Sequence, residues 1–205
     1  MNSAISKASS ILSFILHPFM IPTYATILFM YGSSAFSFLP LAVRQMITVN
    51  IIINTLVIPA LAIYLLYRMG HLPNLGLKDR RSRVLPIIIV TICYGLAMYM
   101  MEDVMMIYVV RKFMLTAILA LGCVFAINFW WKISLHLTAM GGFVAMIFIL
   151  NISKLMYSPV TLAVAILMAG LLASARLQLG RHTPKQITAG FSCGFIVCIV
   201  TMLFL

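Results

Sequence analysis

Four histidines, fourteen lysines and arginines, and only three carboxylates (Asp79, Glu102 and Asp103) are the charged and imidazole groups from which this 205-residue chain could build a reactive site. Ten of these twenty-one groups are gathered into three clusters. The first runs Lys78-Asp-Arg-Arg-Ser-Arg-Val-Leu-Pro86, with Arg83 inside it. The second is Ser134-Leu-His136, and the third runs Arg176-Leu-Gln-Leu-Gly-Arg181-His182-Thr-Pro-Lys-Gln186. Cations beside imidazoles suit oxyanion chemistry: Lys and Arg hold the anion, one imidazole attacks, and a second moves a proton. The shortage of carboxylates excludes two-carboxylate glycosidases and carboxylate-bound metal centres, so neither a metal nor a cofactor is expected. Cys93, Cys123, Cys193 and Cys198 fall in apolar stretches without C-x-x-C spacing, which reads as four reduced, buried thiols.

The elements that must carry these groups are set by composition. Hydrophobic residues make up 64% of the chain and charged residues 8%, with a mean hydropathy of +1.14. A water-exposed surface needs about 25–35% charged residues, so lipid is the expected solvent. A membrane-spanning helix needs about 20 apolar residues. Seven stretches free of Asp, Glu, Lys and Arg meet or approach that length: 11–31, 47–67, 84–101, 113–131, 133–151, 159–175 and 187–205. The expected fold is an all-α polytopic membrane bundle of about seven (six to seven) helices in one domain, 1–205, with N-terminal helices over 1–67. Lys7 ahead of the first stretch reads as a retained anchor. The fourth and fifth stretches nearly touch, so a turn is expected within 128–133, shortening the fourth helix. His17-Pro18 is expected to bend or pack the first helix, and His71 reads as a bystander.

With seven crossings, the N-terminus and connectors 68–83, 128–133 and 176–186 share one face, which holds ten of the fourteen cations. Positive-inside counting would make that face cytoplasmic, but a use of the same cations in a site would corrupt the count, so orientation stays open. Each cluster also sets a helix N-terminus on this face, where free N–H groups favour an anion such as phosphate. The bland alternatives are real: basic connectors commonly anchor spans, and Thr183-Pro184-Lys185-Gln186 matches a capping box. The charges lie in short connectors rather than along one helix face, so no nucleic-acid partner is expected.

The order of the clusters resembles the type 2 phosphatidic acid phosphatase (PAP2, acid phosphatase/haloperoxidase) superfamily, whose motifs read K-x6-R-P, P-S-G-H and S-R-x5-H-x3-D. Lys78 and Pro86 match the first; Leu85 stands at its Arg, with Arg83 two residues earlier as a substitute. Ser134 and His136 match the second, with Ile133 and Leu135 for its Pro and Gly. Arg176 and His182 match the third, with Ala175 for its Ser and Gln186 for its Asp. The matched region is roughly 78–190. The resemblance implies a PAP2-like core and a metal-independent lipid phosphate phosphatase working through a phosphohistidine. His182 would be nucleophile and His136 general acid, with Lys78, Arg83, Ser134 and Arg176 on the phosphoryl oxygens and Gln186 orienting His182. The implied partner is a membrane lipid or isoprenoid phosphate, and the expected location is a bacterial inner membrane. The departures at Leu85 and Gln186 motivate one alternative, a catalytically silent relative that binds or moves anionic lipids; a phosphotransferase, using the same phosphohistidine but passing the phosphoryl group to an alcohol, is another.

Overall fold

A computed structural model describes residues 3–32, 38–72, 81–101, 108–155 and 158–205. Lys78, Asp79 and Arg80 of the first cluster fall outside them, as do Glu102 and Asp103. Among the described residues every regular element is helical.

The first apolar stretch forms two helices, α1 (Ser3–Ile15) and α2 (Met20–Tyr31), bent by 61°. The cause is His17-Pro18: a residue before proline is pushed away from helical geometry, and Pro18 has no N–H to continue the ladder. The Tyr24 hydroxyl donates to the Ile15 carbonyl freed by the break, at 2.9 Å. The second stretch is α3 (Leu41–Ile52), a π-helical turn (Ile53–Val57) and α4 (Ile58–Arg68), together 28 residues. Pro59 explains the widened turn, since its ring would clash with the carbonyl four residues back. Asn50 ties this unit to the next helix by donating from Nδ2 to the Ala97 carbonyl at 3.0 Å.

A 3-10 turn (Arg81–Arg83) leads into α5 (Val84–Tyr99), with Pro86 in the first turn, where its missing N–H costs nothing. Then come α6 (Tyr108–Asn128), α7 (Leu135–Ile152), α8 (Pro159–Gln178) and α9 (Pro184–Phe204). Among the described residues, five helical units are long and apolar enough to cross a membrane, or six when the bent α1–α2 pair counts as one span. Six is the lower end of the six to seven expected; the third stretch yields only 16 helical residues in α5, a shorter apolar helix. The turn expected within 128–133 does follow the fourth helix, but the helix is not shortened overall. It ends at Asn128 but begins at Tyr108, taking Arg111 and Lys112 into the helix. Lys112 makes this tolerable by reaching out of the apolar zone: its Nζ donates to the Met202 carbonyl at 3.1 Å, near the end of α9.

α7 is the central helix and α9 its closest neighbour, and glycine allows the approach. A Cβ on Gly190 would stand 2.7 Å from the Ser134 carbonyl oxygen, and Cβ atoms on Gly141 or Gly194 would overlap the backbone of Phe191 or Thr138. Small residues four apart let membrane helices touch backbone to backbone. The outer helices turn large apolar side chains outward, such as Leu85, Ile88, Ile92 and Leu96 on α5, and Val160, Val164, Leu167 and Leu171 on α8. In water these stripes would be costly; in a bilayer they are the contact with lipid.

Candidate active site

Three connectors meet at one end of the bundle. Arg83 Nη1 donates to the Ile133 carbonyl at 3.3 Å, Lys132 Nζ to the Arg181 carbonyl at 3.4 Å, and the Ser134 N–H to the Gln186 carbonyl at 3.2 Å. The chain after α8 is aimed by Gly180, whose φ of +61° is the left-handed conformation that glycine adopts without strain. The N–H groups of Gly180 and Arg181 bond back to the carbonyls of Leu177 and Arg176, a Schellman closure that turns Arg181 and His182 back toward the bundle. Phe129, Trp130 and Trp131, exposed just before Lys132, have the composition of an interfacial aromatic belt. Trp130 is 79% exposed.

Between the connectors lies a cavity of about 330 Å³ whose polar wall includes Arg83, His136, Arg176, Arg181 and His182. Its other wall is apolar, including Phe19, Ile87, Tyr94 and Leu121. A smaller cavity of about 60 Å³ shares Pro18, Tyr94, Leu121 and Leu135 with it and runs on among apolar residues of α2, α5, α6 and α7.

The candidate residues are distributed as follows. Arg83, His136, Arg176 and His182 line the common cavity, whereas Lys78 lies outside the described residues. Leu85, at the resemblance's arginine position, is 41% exposed on the outer surface; from that part of the first cluster it is Arg83 that lines the cavity. Ser134 does not line the cavity. It is fully buried as the N-cap of α7, accepting at Oγ from the Leu137 N–H, while its carbonyl accepts from Thr138. Gln186 stands behind His182 and uses one amide oxygen twice: Oε1 accepts from His182 Nδ1–H at 3.1 Å and from the Thr183 N–H at 3.3 Å. Thr183 Oγ1 accepts in return from the Gln186 N–H, so the capping box and the imidazole tether share one side chain.

These bonds fix the tautomers, because an amide oxygen only accepts. His182 carries its proton on Nδ1 and keeps the Nε2 lone pair. Burial first, then the charges of Arg176, Arg83 and Lys132, push its pKa down to about 4 against the opposing Gln186 bond, so the ring is neutral at pH 7. His136 Nε2–H donates to the Ser13 carbonyl at 3.2 Å, leaving Nδ1 as the lone-pair nitrogen.

Residues of the first helix and its bend were missed by motif reasoning: Ser10, Ser13, Phe14 and His17 also line the cavity. A signal was present. Ser6, Ser9, Ser10 and Ser13 are spaced i, i+3, i+4, i+7, one face of a helix, and His17 continues it one turn later. Ser9 and Ser13 on that face are buried against the protein, while Ile11, Phe14 and Ile15 face outward, an amphipathic helix with its polar side in. The His17 and His136 rings meet edge to face with centroids 5.2 Å apart. Two buried polar atoms of the cavity residues, Ser13 Oγ and Arg176 Nε, have no hydrogen-bond partner among the described residues. Among the described residues no group of three or more metal-ligating side chains converges. Comparison of the chain with family models, curated proteins and solved structures finds no match.

Proposed function

We propose that the protein is a lipid phosphate phosphatase of the type 2 phosphatidic acid phosphatase kind, hydrolysing a phosphomonoester or diphosphate without a metal through a phosphohistidine. The observation that carries this reading is that Arg83, His136, Arg176 and His182, from the three basic clusters, line one cavity. The guanidiniums would hold the non-bridging phosphoryl oxygens, where fixed positive charge stabilises the negative charge of the transition state. His182 Nε2 attacks phosphorus as the ester P–O bond breaks, and Gln186 steadies the ring through Nδ1. His136 works through Nδ1, since its Nε2–H is held by Ser13. The proton it passes to the leaving oxygen arrives with the substrate, because a phosphomonoester keeps its last proton up to about pH 6. Water, deprotonated by the same nitrogen, then attacks phosphorus, releasing inorganic phosphate and freeing His182.

The apolar wall, the apolar gallery beyond it and the neighbouring aromatic belt favour a lipid or isoprenoid phosphate, with its head group among the cations and its tail among the helices. The neutral amide at Gln186 favours, as second reading, a silent relative that binds anionic lipids. The test is inorganic phosphate release from a panel of lipid phosphates by purified protein, with His182→Ala as control. Release by wild type, its loss in His182→Ala and an acid-labile phosphoryl label on wild type are expected. Equal background from both proteins sinks the enzyme reading, and retained binding of anionic lipid would then establish the silent one. Transfer of the phosphoryl group to an added alcohol instead of water would make it a phosphotransferase.

A further inference from the structure

The three basic clusters leave one side of the cavity to α1 and its bend, and the polar groups found there face the anion site without assigned work. Ser13 is 6% exposed, lines the cavity, and its Oγ is buried with no partner. A buried hydroxyl without a partner carries a desolvation cost that proteins rarely leave standing, unless a ligand or water fills the gap. His17 lies one turn further along the same face. Its Nδ1 accepts from the Phe19 N–H at 3.4 Å, a bond that the Pro18 break makes possible, so the ring proton sits on Nε2. The ring packs edge to face on His136 and lines the same cavity. Arg176 lines the same cavity, and its Nε is a further donor with no partner among the described residues. Each of these three groups can give a hydrogen, and neither Ser13 Oγ nor Arg176 Nε has a partner among the described residues.

We infer that the α1–α2 corner is a fourth arm of the anion site, with Ser13 Oγ–H and His17 Nε2–H donating to oxygens of the bound phosphoryl group. A tetrahedral oxyanion has the acceptors such a set requires: its oxygens can take hydrogens from Arg83 and Arg176 on one side and from Ser13 and His17 on the other. Ser13 has a second task through its backbone. Its carbonyl holds His136 Nε2–H, so Ser13 binds the substrate and positions the proton-transferring ring at once. The segment Ser10–His17 therefore belongs to the site even though it lies far from the motif region in sequence. This inference rests on the cavity being an oxyanion site, as proposed above.

The test is equilibrium binding of inorganic phosphate and of orthovanadate, a phosphate mimic, to the full chain in detergent micelles, measured by calorimetry with melting temperatures recorded alongside. Ser13→Ala removes the hydroxyl and keeps the carbonyl, and His17→Phe keeps the ring contact and removes the N–H. Each is expected to weaken binding about tenfold to a hundredfold, the range for a hydrogen bond to a charged group. Ser13→Thr and His17→Gln restore a donor and are expected to stay within a few-fold of wild type. Ser9→Ala, buried on the same helix but not lining the cavity, should bind as wild type does. Wild-type affinity in Ser13→Ala and His17→Phe, with loss in Arg176→Ala, overturns the fourth arm and leaves the phosphate site standing. No binding by wild type overturns both.

Discussion

Gln186 presents one amide oxygen to two donors, and the behaviour of His182 follows from that economy. An amide orients the ring as a carboxylate would, but it brings no charge to stabilise an imidazolium. Buried among Arg176, Arg83 and Lys132, the ring is therefore held neutral, with its pKa pushed down to about 4. The sign for stability follows directly. Below an unfolded-state value of about 6.5 the unfolded chain takes up this proton first. The contribution of neutral His182 is thus complete above that value and is lost as pH falls toward 4. Melting temperature should drop between pH 7 and pH 4.5, and less steeply in His182→Gln, which cannot titrate. For the proposed phosphatase, the same shift places the acid limb of kcat/KM for phosphate release near pH 4. Gln186→Glu supplies the missing charge. It should move that limb upward toward neutrality and raise turnover, with about 10⁴ as the ceiling suggested by the carboxylate-to-amide exchange in serine-protease triads. Gln186→Leu loses the ring tether and its side of the capping box, so activity and melting temperature should both fall. An acid limb that stays put in Gln186→Glu would show that the oxygen does not govern His182.

At the scale of elements, the contact between α7 and α9 decides whether the two halves of the site meet. α7 starts at Ser134 and carries His136; α9 starts after His182; the Ser134–Gln186 backbone bond joins the two starts. Gly194→Ala would drive a methyl group into the Thr138 backbone, and the helices could accept it only by separating. Overpacking of this kind costs about 1–3 kcal/mol. A fall in melting temperature in detergent is expected, together with loss of the His182–His136 arrangement and of phosphate release. Gly170→Ala on α8 meets nothing within 4 Å and should be neutral or stabilising by about 0.5–1 kcal/mol through helix propensity. Equal melting temperatures for the two variants would mean that the helices do not pack at Gly194. Long apolar runs made most of these helices legible in the sequence, and Pro18 made the bend legible. What could not be read was how the bent helix packs. The serine stripe of α1 shows a polar face but not its partner, which tertiary packing alone supplies. The early start of α6 was hidden for a related reason: Arg111 and Lys112 look like connector residues until Lys112 is seen reaching the last carbonyls of α9.

At the scale of the whole molecule, the site exists only if Arg83, His136 and His182 arrive at the same membrane surface, and that depends on α5. Its 16 residues extend about 24 Å, short of a hydrocarbon core of about 30 Å. Two features argue that it crosses nonetheless. Its first turn follows Arg83 at the site end, and the outward series Leu85, Ile88, Ile92, Leu96 and Tyr99 forms a continuous lipid-facing stripe. A short apolar helix crosses by thinning the bilayer around it, at a fraction of a kcal/mol per Å. Side-specific labelling tests this directly. With the four native cysteines changed to alanine, Arg68→Cys, Lys132→Cys and Lys185→Cys should react with an impermeant maleimide from one side of the membrane. Lys154→Cys, between α7 and α8, should react only from the other side. Arg68 and Lys132 are separated by α5 and α6; with the 21-residue α6 crossing, they share a side only if α5 crosses too. If Arg68→Cys instead labels from the side of Lys154→Cys, α5 turns back within the membrane. Arg83 would then follow a segment that begins on the wrong surface, and a cavity common to the three basic clusters could not form.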